Sequence, residues 1–284
     1  MIKLKTVLLA FMVFFMSCKS DENPTSPPKI EGRKVLMMGN SFFRPYAENL
    51  AELVFDASIE NHSSIVAFRG GEGGWPRTLW NNSTTDEHQL IKSVLDEGDV
   101  EIFGMTAGYD TAAGVDLIYG HRAWIDYAVE RNPGIVVFIA IPQVDFPANW
   151  EQLASDFGYT TFQDFYSAFV DLVHDSIVDP LRVEFPNTKI FTIPTGWASV
   201  ELTQMKLDNN LLDDIGLMGA KPTSLFTDQK GHQGQIIIET GSLVWLNSIY
   251  GVDLTTNTYN TGFNTDLHAI AQRVVENHDP NYRQ

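Results

Sequence analysis

The apolar positions of the chain follow two periods. From Lys34 onward, short β-branched or aliphatic runs fall near Lys34 to Met38, Ser64 to Phe68, Val100 to Gly104, Ile135 to Ile141 and Lys189 to Ile193. Longer stretches of helical period separate them. Tyr46, Leu50, Leu53 and Val54 make one apolar face behind Pro45, and Val170, Leu172, Val173 and Ile177 make another. A last helix is predicted from about His232 to Tyr250, rich in Ile, Leu, Val and Trp. This alternation predicts an α/β fold, doubly wound in three α/β/α layers, with a five-stranded parallel sheet of flavodoxin-like order and right-handed crossovers. Ligands in such a fold collect beyond the carboxyl ends of the strands. From about Asp253 the chain is rich in Asn and Thr with weak apolar content, and is expected to be a surface extension with one short helix near Leu267 to Val275.

The first residues depart from this pattern. Lys3 and Lys5 precede an apolar run from Val7 to Met16, which ends at small Ser17 and then Cys18. That is the layout of a secretory signal, too short to span a membrane comfortably, where roughly 20 apolar residues are needed. Phe15-Met16-Ser17-Cys18 resembles a bacterial lipobox, with Phe15 where Leu is usual. The resemblance implies that residues 1–18 are a lipoprotein signal and that Cys18 carries the lipid. Residues 19–32, with Pro24, Pro27 and Pro28, form a polar tether, and residues 33–284 the folded domain. The acidic pair Asp21-Glu22 resembles the export signal of Bacteroidetes surface lipoproteins. The expected location is therefore the outer membrane or cell surface of a Gram-negative bacterium.

The chain has 284 residues, 44% of them hydrophobic, enough for one sizeable core. Cys18 is its only cysteine, so no disulfide forms within one molecule. Loss of Lys3 and Lys5 with the signal takes the formal charge from −17 to −19. Such a body repels nucleic acid and anionic lipid, which leaves the lipid anchor as the means of membrane attachment.

The first predicted strand runs into Gly39-Asn40-Ser41-Phe42-Phe43 just ahead of a helix. A serine there sits at the carboxyl edge of the sheet, beside free helix amides that stabilise negative charge. Far along the chain, Thr227-Asp228-Gln229-Lys230-Gly231-His232 lies between the last strand and the last helix, on the same edge. A histidine that takes a serine proton needs a carboxylate to hold its tautomer, and Asp228 with His232 supplies such a pair. The remaining histidines, at 62, 88, 121, 174, 268 and 278, lie off the strand ends or within helical stretches and are read as polar filler. No Gly-rich loop ending in Lys-Ser or Lys-Thr is present, which argues against phosphate or flavin binding at the first loop.

A strand followed by Gly-Asn-Ser near the start, with Asp and His near the end, resembles the SGNH, or GDSL-like, hydrolase superfamily across about residues 33 to 251. The resemblance implies a serine esterase that uses no metal or other cofactor, with Ser41, Asp228 and His232 as its catalytic residues. It also implies an oxyanion hole built from the Ser41 amide, a glycine amide after the second strand and an asparagine side chain after the third. Gly74 in Arg69-Gly70-Gly71-Glu72-Gly73-Gly74 is the expected glycine, with Gly71 in reserve. In place of the asparagine stands Ala107-Gly108-Tyr109-Asp110, so either Tyr109 substitutes as a donor or the hole has only two amides. The Asp–His spacing is one residue longer than the family's, and Gly231 is expected to absorb the difference.

Trp75, Trp80, Trp150 and Trp197 fall near the predicted loop edge, where flat rings stack on sugars. The expected function is thus a surface lipoprotein esterase that removes acyl (acetyl) groups from a carbohydrate or other small ester. The alternative is a glycan-binding lipoprotein that keeps the fold without the chemistry. It draws on the missing asparagine and the longer Asp–His spacing.

Overall fold

A computed structural model describes residues 29–108, 114 and 116–284. The signal, most of the tether, Cys18 and Tyr109 lie outside the described residues. Five strands, β1 (Lys34–Gly39), β2 (Ser63–Phe68), β3 (Ile102–Thr106), β4 (Val136–Ala140) and β5 (Ile190–Ile193), form one parallel sheet in the order β2-β1-β3-β4-β5. This is the α/β, flavodoxin-like order that the alternation of periods predicts. In the middle of the sheet Met38 pairs with Ala67 on one side and Met105 on the other, so β1 delivers its end between two neighbours.

Right-handed crossovers fix the faces. Helix α1 (Arg44–Asp56) joins β1 to β2 on one face. The return connections carry α2 (Pro76–Asn81), α3 (Asp86–Asp96) and α4 (Tyr119–Arg131) on the other. Between β4 and β5 come α5 (Trp150–Asp156), α6 (Phe162–Val173), a π-helical turn (His174–Val178) and α7 (Asp179–Glu184). After β5 follow α8 (Trp197–Leu207), then β6 (Gly216–Met218) and β7 (Ser224–Phe226), paired as a small parallel sheet that the hydrophobic pattern does not announce. The last elements are α9 (Gln235–Tyr250) and α10 (Leu267–Asn277), and α9 packs against α1, α8 and α10.

Two expectations are corrected. Leu172 does not join Val170, Val173 and Ile177 in the core; it is exposed, because a helix that buries 170, 173 and 177 turns position 172 to solvent. The short helix expected near Leu267 to Val275 is present as α10, but the segment from Asp253 is part of the packed domain rather than a surface extension. Helix α9 is apolar all round and buries residues on every side, so it needs a cover on its outer face. Helix α10, capped by the Asp266 side chain on the Ala269 amide, supplies it with buried Leu267, Ile270, Ala271 and Val274. Burial of each large aliphatic side chain contributes roughly 1.5–3 kcal/mol.

Beneath the carboxyl end of β1 lies an aromatic cluster. Phe43 meets Trp245 of α9 edge-on at 4.9 Å between ring centroids, and Phe138 of β4 meets the same indole at 5.2 Å. The buried Trp245 Nε1 donates to Thr195 Oγ1 at 2.8 Å, which satisfies its polar edge. The turn holding Ser41 thus rests on packed rings.

Candidate active site

The turn after β1 is shaped by Asn40. Its buried side-chain oxygen accepts from the Phe42 amide at 3.0 Å and the Phe43 amide at 3.3 Å, while its carbonyl accepts from the Arg44 amide at 3.0 Å. These bonds pin the residues on the helix side of Ser41 and leave the hydroxyl at the surface of the turn. Among the described residues no carbonyl accepts from the Ser41 amide, which leaves that N–H available to a substrate oxygen.

The second loop comes from the other end of the chain. Helix α9 starts at Gln235 rather than at His232, because the stretch before it pairs with β7: Phe226 bridges Gln233, and the Gly234 amide donates to Leu225 O at 2.6 Å. His232 is therefore held on a loop at the sheet edge. Its Nε2 lies 2.9 Å from Ser41 Oγ, and its Nδ1 lies 2.6 Å from Asp228 Oδ2. Asp228 Oδ1 also accepts from the Gly231 amide at 3.0 Å and the His232 amide at 3.2 Å. Partial burial pushes the Asp228 carboxyl up, but the hydrogen bonds from His232 and Gly231 outweigh it and hold the group below the ordinary carboxylate value. Phe42 stacks on the His232 ring at 5.0 Å and 27°, which limits its rotation.

The extra residue in the Asp–His spacing is taken up at Gly231, whose φ of +103° few side chains adopt. A Cβ there would also lie 2.9 Å from both Gln143 Nε2 and Pro147 Cδ. The three residues that the sequence singled out, Ser41, Asp228 and His232, are thus brought into one hydrogen-bonded chain, although Ser41 and His232 stand 191 positions apart.

The glycine loop after β2 forms a 3₁₀ turn, Gly71–Gly74, directly behind the end of β1. A Cβ on Gly74 would come within 2.3 Å of the Gly39 carbonyl oxygen, whereas one on Gly71 would meet nothing within 4 Å. Gly74 is therefore the glycine packed against the end of β1, just before Ser41. Tyr109 lies outside the described residues. A cleft of about 450 Å³ opens beside Ser41, lined by Arg44, Pro45, Asn49, Phe68, Lys221 and Gln235 among others. Its lining is mixed, with two cations, one carboxylate, Glu48, paired to Arg44 at 2.7 Å, and two side-chain amides.

The other histidines have local partners: His62 with the Tyr250 hydroxyl, His88 with Leu79 O, His121 with Thr106 O, and His268 with Asn257. His174 and His278 both meet the Thr192 hydroxyl, at 3.1 and 2.8 Å. No group of three or more His, Cys, Asp or Glu among the described residues is arranged to hold a metal ion. The tryptophans divide. Trp150 is buried, stacked on Phe162 at 4.2 Å, and Trp80 packs edge-on against Trp124 at 4.8 Å. Trp75 and Trp197 are partly buried, as Trp80 is, and Trp197 meets Tyr166 edge-on at 5.0 Å.

Two residues of the site escaped the sequence reading. Gln143, just past the end of β4, donates from Nε2 to Gly231 O, and Gln233 donates to Phe42 O at 3.2 Å. The rule that ligands gather at strand ends applies to Gln143 as it does to Ser41, and was the available signal.

No protein-family model and no curated protein matches the sequence. Among solved structures, the chain is similar to a DUF4886 family protein from Bacteroides uniformis, with 16% identity, a TM-score of 0.57, and coverage of 87% of this chain and 94% of that one. A second is the periplasmic domain of a lipopolysaccharide acetyltransferase from Salmonella ser. Paratyphi A, at 13% identity and a TM-score of 0.35, covering 59% of this chain and 67% of that one. At these identities the likeness concerns the fold.

Proposed function

We propose that this chain is a serine esterase of the SGNH type that removes acyl groups from a carbohydrate. The observation that carries the reading is the continuous chain Ser41 Oγ, His232 Nε2, His232 Nδ1, Asp228 Oδ2, at 2.9 and 2.6 Å, built at the carboxyl edge of a parallel sheet. With Asp228 accepting from Nδ1–H, the Nε2 lone pair faces the serine hydroxyl and takes its proton as Oγ attacks the ester carbon. The amides of Ser41 and Gly74 receive the charge that develops on the carbonyl oxygen. His232 then returns the proton to the departing alcohol oxygen, leaving an acyl-Ser41. Water, deprotonated by the same imidazole, releases the carboxylic acid and restores the serine.

The polar lining of the cleft, with Arg44, Asn49, Lys221 and Gln235, supports a hydroxyl-rich substrate. Tyr109 as a further donor, and attachment to an outer membrane through Cys18, belong to the same proposal and rest on the sequence. The glycan-binding alternative drew on the longer Asp–His spacing, yet Asp228 and His232 are in contact despite it. Purified full-length protein in detergent should hydrolyse 4-nitrophenyl acetate and release acetate from acetylated oligosaccharides, and Ser41→Ala should abolish both. Equal rates for wild type and variant would remove Ser41 from the chemistry. Binding of glycans by a wild type that cleaves neither substrate would favour the alternative.

A further inference from the structure

We infer that Gln143 is the positioning residue that makes the lengthened Asp228–His232 loop competent, and that Ser199 braces its far side; the inference rests on the esterase reading. A loop with one residue more than the spacing usual for this arrangement has an additional pair of backbone dihedrals, and one of them, at Gly231, is in a region that glycine visits freely. Left alone, such a glycine costs entropy to order and lets the following imidazole wander. The Gly231–His232 peptide is nevertheless held on both sides. Its N–H donates to Asp228 Oδ1 at 3.2 Å, and its C=O accepts from Gln143 Nε2. A peptide plane gripped at donor and acceptor together leaves His232 one backbone direction, the one in which Nδ1 meets Asp228 and Nε2 meets Ser41.

Gln143 is itself fixed. It is 4% exposed, and its Oε1 accepts from the hydroxyl of Ser199, which is fully buried in the first turn of α8. Gly231 O can only accept, so Nε2 must be the atom presented to it, and the Ser199 hydroxyl then donates to Oε1 and braces the amide from its other side. The backbone just before Gln143 is tied down as well, by the Tyr166 hydroxyl donating to Pro142 O at 2.9 Å. A second buried glutamine reaches the nucleophile side. The buried Gln233 side chain donates from Nε2 to Phe42 O, the residue after Ser41, at 3.2 Å. Two buried glutamines thus hold the loop on either side of the site, Gln143 at the Gly231–His232 peptide and Gln233 at the Phe42–Phe43 peptide. The Phe146 amide adds an outer clasp on the same loop, donating to Lys230 O at 3.0 Å.

A residue that only filled the core would change stability and leave the chemistry of the folded fraction alone. Positioning has a different signature. In full-length protein titrated for its folded fraction, Gln143→Leu should slow acylation by a fluorophosphonate probe about 10- to 100-fold, with the fall in kcat toward 4-nitrophenyl acetate and KM little changed. Ser199→Ala, which keeps the Gln143 donor but leaves its buried Oε1 without a partner and the side chain unbraced, should lose less. The double variant should be no slower than Gln143→Leu, because the two side chains act through one bond. Should the leucine variant not fold, Ser199→Ala alone carries the test, with a loss of several-fold expected and none overturning the inference. Labelling of Gln143→Leu within twofold of wild type, or losses that multiply in the double variant, would overturn it. A wild type that neither labels nor cleaves would instead take down the esterase reading, and this inference with it.

Discussion

Asp228 holds His232 at two points, the ring through Oδ2 at 2.6 Å and the backbone amide through Oδ1 at 3.2 Å. One carboxylate therefore sets both where the imidazole sits and which nitrogen carries the proton. Replacement by asparagine separates these tasks. The side-chain oxygen of Asp228→Asn can still accept from one partner, but its NH2 cannot accept from Nδ1–H. The imidazole is then driven to the tautomer with a proton on Nε2, facing Ser41. Hydrolysis of 4-nitrophenyl acetate should fall on the order of 10⁴-fold, while the melting temperature changes little. A loss below tenfold, measured as kcat/KM, would take Asp228 out of the proposed triad.

Gly231 tests the accommodation of the longer loop. Alanine there meets φ +103° and a Cβ contact at 2.9 Å with both Gln143 and Pro147. The strain is on the order of 1–3 kcal/mol, and the loop relieves it by moving rather than by unfolding the domain. The expected outcome for Gly231→Ala is a loss of esterase activity larger than urea unfolding accounts for. Wild-type activity in a folded variant would show that the left-handed conformation is not needed.

Much of this site was legible because its parts obey strong local rules. β1 and β4 are apolar along their length, and a serine or histidine placed beyond such runs falls on the carboxyl edge whatever the exact strand limits. Those limits were not legible to the residue: β3 extends to Thr106 because Met105 and Thr106 find partners in Ile139 and Ala140, a tertiary fact. The start of α9 shifted to Gln235 for a similar reason, since the pairing of Gln233 with Phe226 competes with helix at that point. β6 and β7 have three residues each, too few to show a period. Gln143 was marked only by its place after a strand, and a glutamine there gives no sign of its partner; only the fold brings Gly231 O to it, 88 positions later. The cover role of α10 was hidden differently. Its own stripe is short, and the need for it lies in the all-round apolar surface of α9.

Gly74 tests the oxyanion proposal. Its missing Cβ lets the 3₁₀ turn close within 2.3 Å of where that atom would meet the Gly39 oxygen. Backbone against backbone cannot yield as a flexible side chain does, so Gly74→Ala must displace the loop and its amide. Loss of an oxyanion donor costs about 100- to 1000-fold in kcat. Gly71→Ala, with open space around the added carbon, should stay near wild type apart from the strain of φ +54°. Equal effects of the two substitutions on esterase rate would leave Gly74 no special place.

Stability should depend on pH through histidines that the proposed chemistry does not use. His121 of α4 is 2% exposed, with Nε2 3.2 Å from Thr106 O at the end of β3. Burial pushes its pKa down to about 4, against a smaller opposing effect of that hydrogen bond. The unfolded chain binds the proton near pH 6.5, so between about 6.5 and 4 the unfolded state carries a proton that the native state refuses. Stability is therefore lost as pH falls through this window, by up to about 1.4 kcal/mol per pH unit for one such group. His174 and His278, also pushed by burial to about 4, act in the same direction. Asp228, held below the ordinary carboxylate value, keeps its stabilising contribution across this window and loses it only at lower pH. Urea unfolding from pH 7 to 4.5 should show a falling free energy. His121→Gln, whose amide still reaches the Thr106 carbonyl but cannot titrate, should flatten the slope by about 2 kcal/mol across that range. An unchanged slope in the variant would mean that His121 is protonated in the native protein, with its charge reached by solvent.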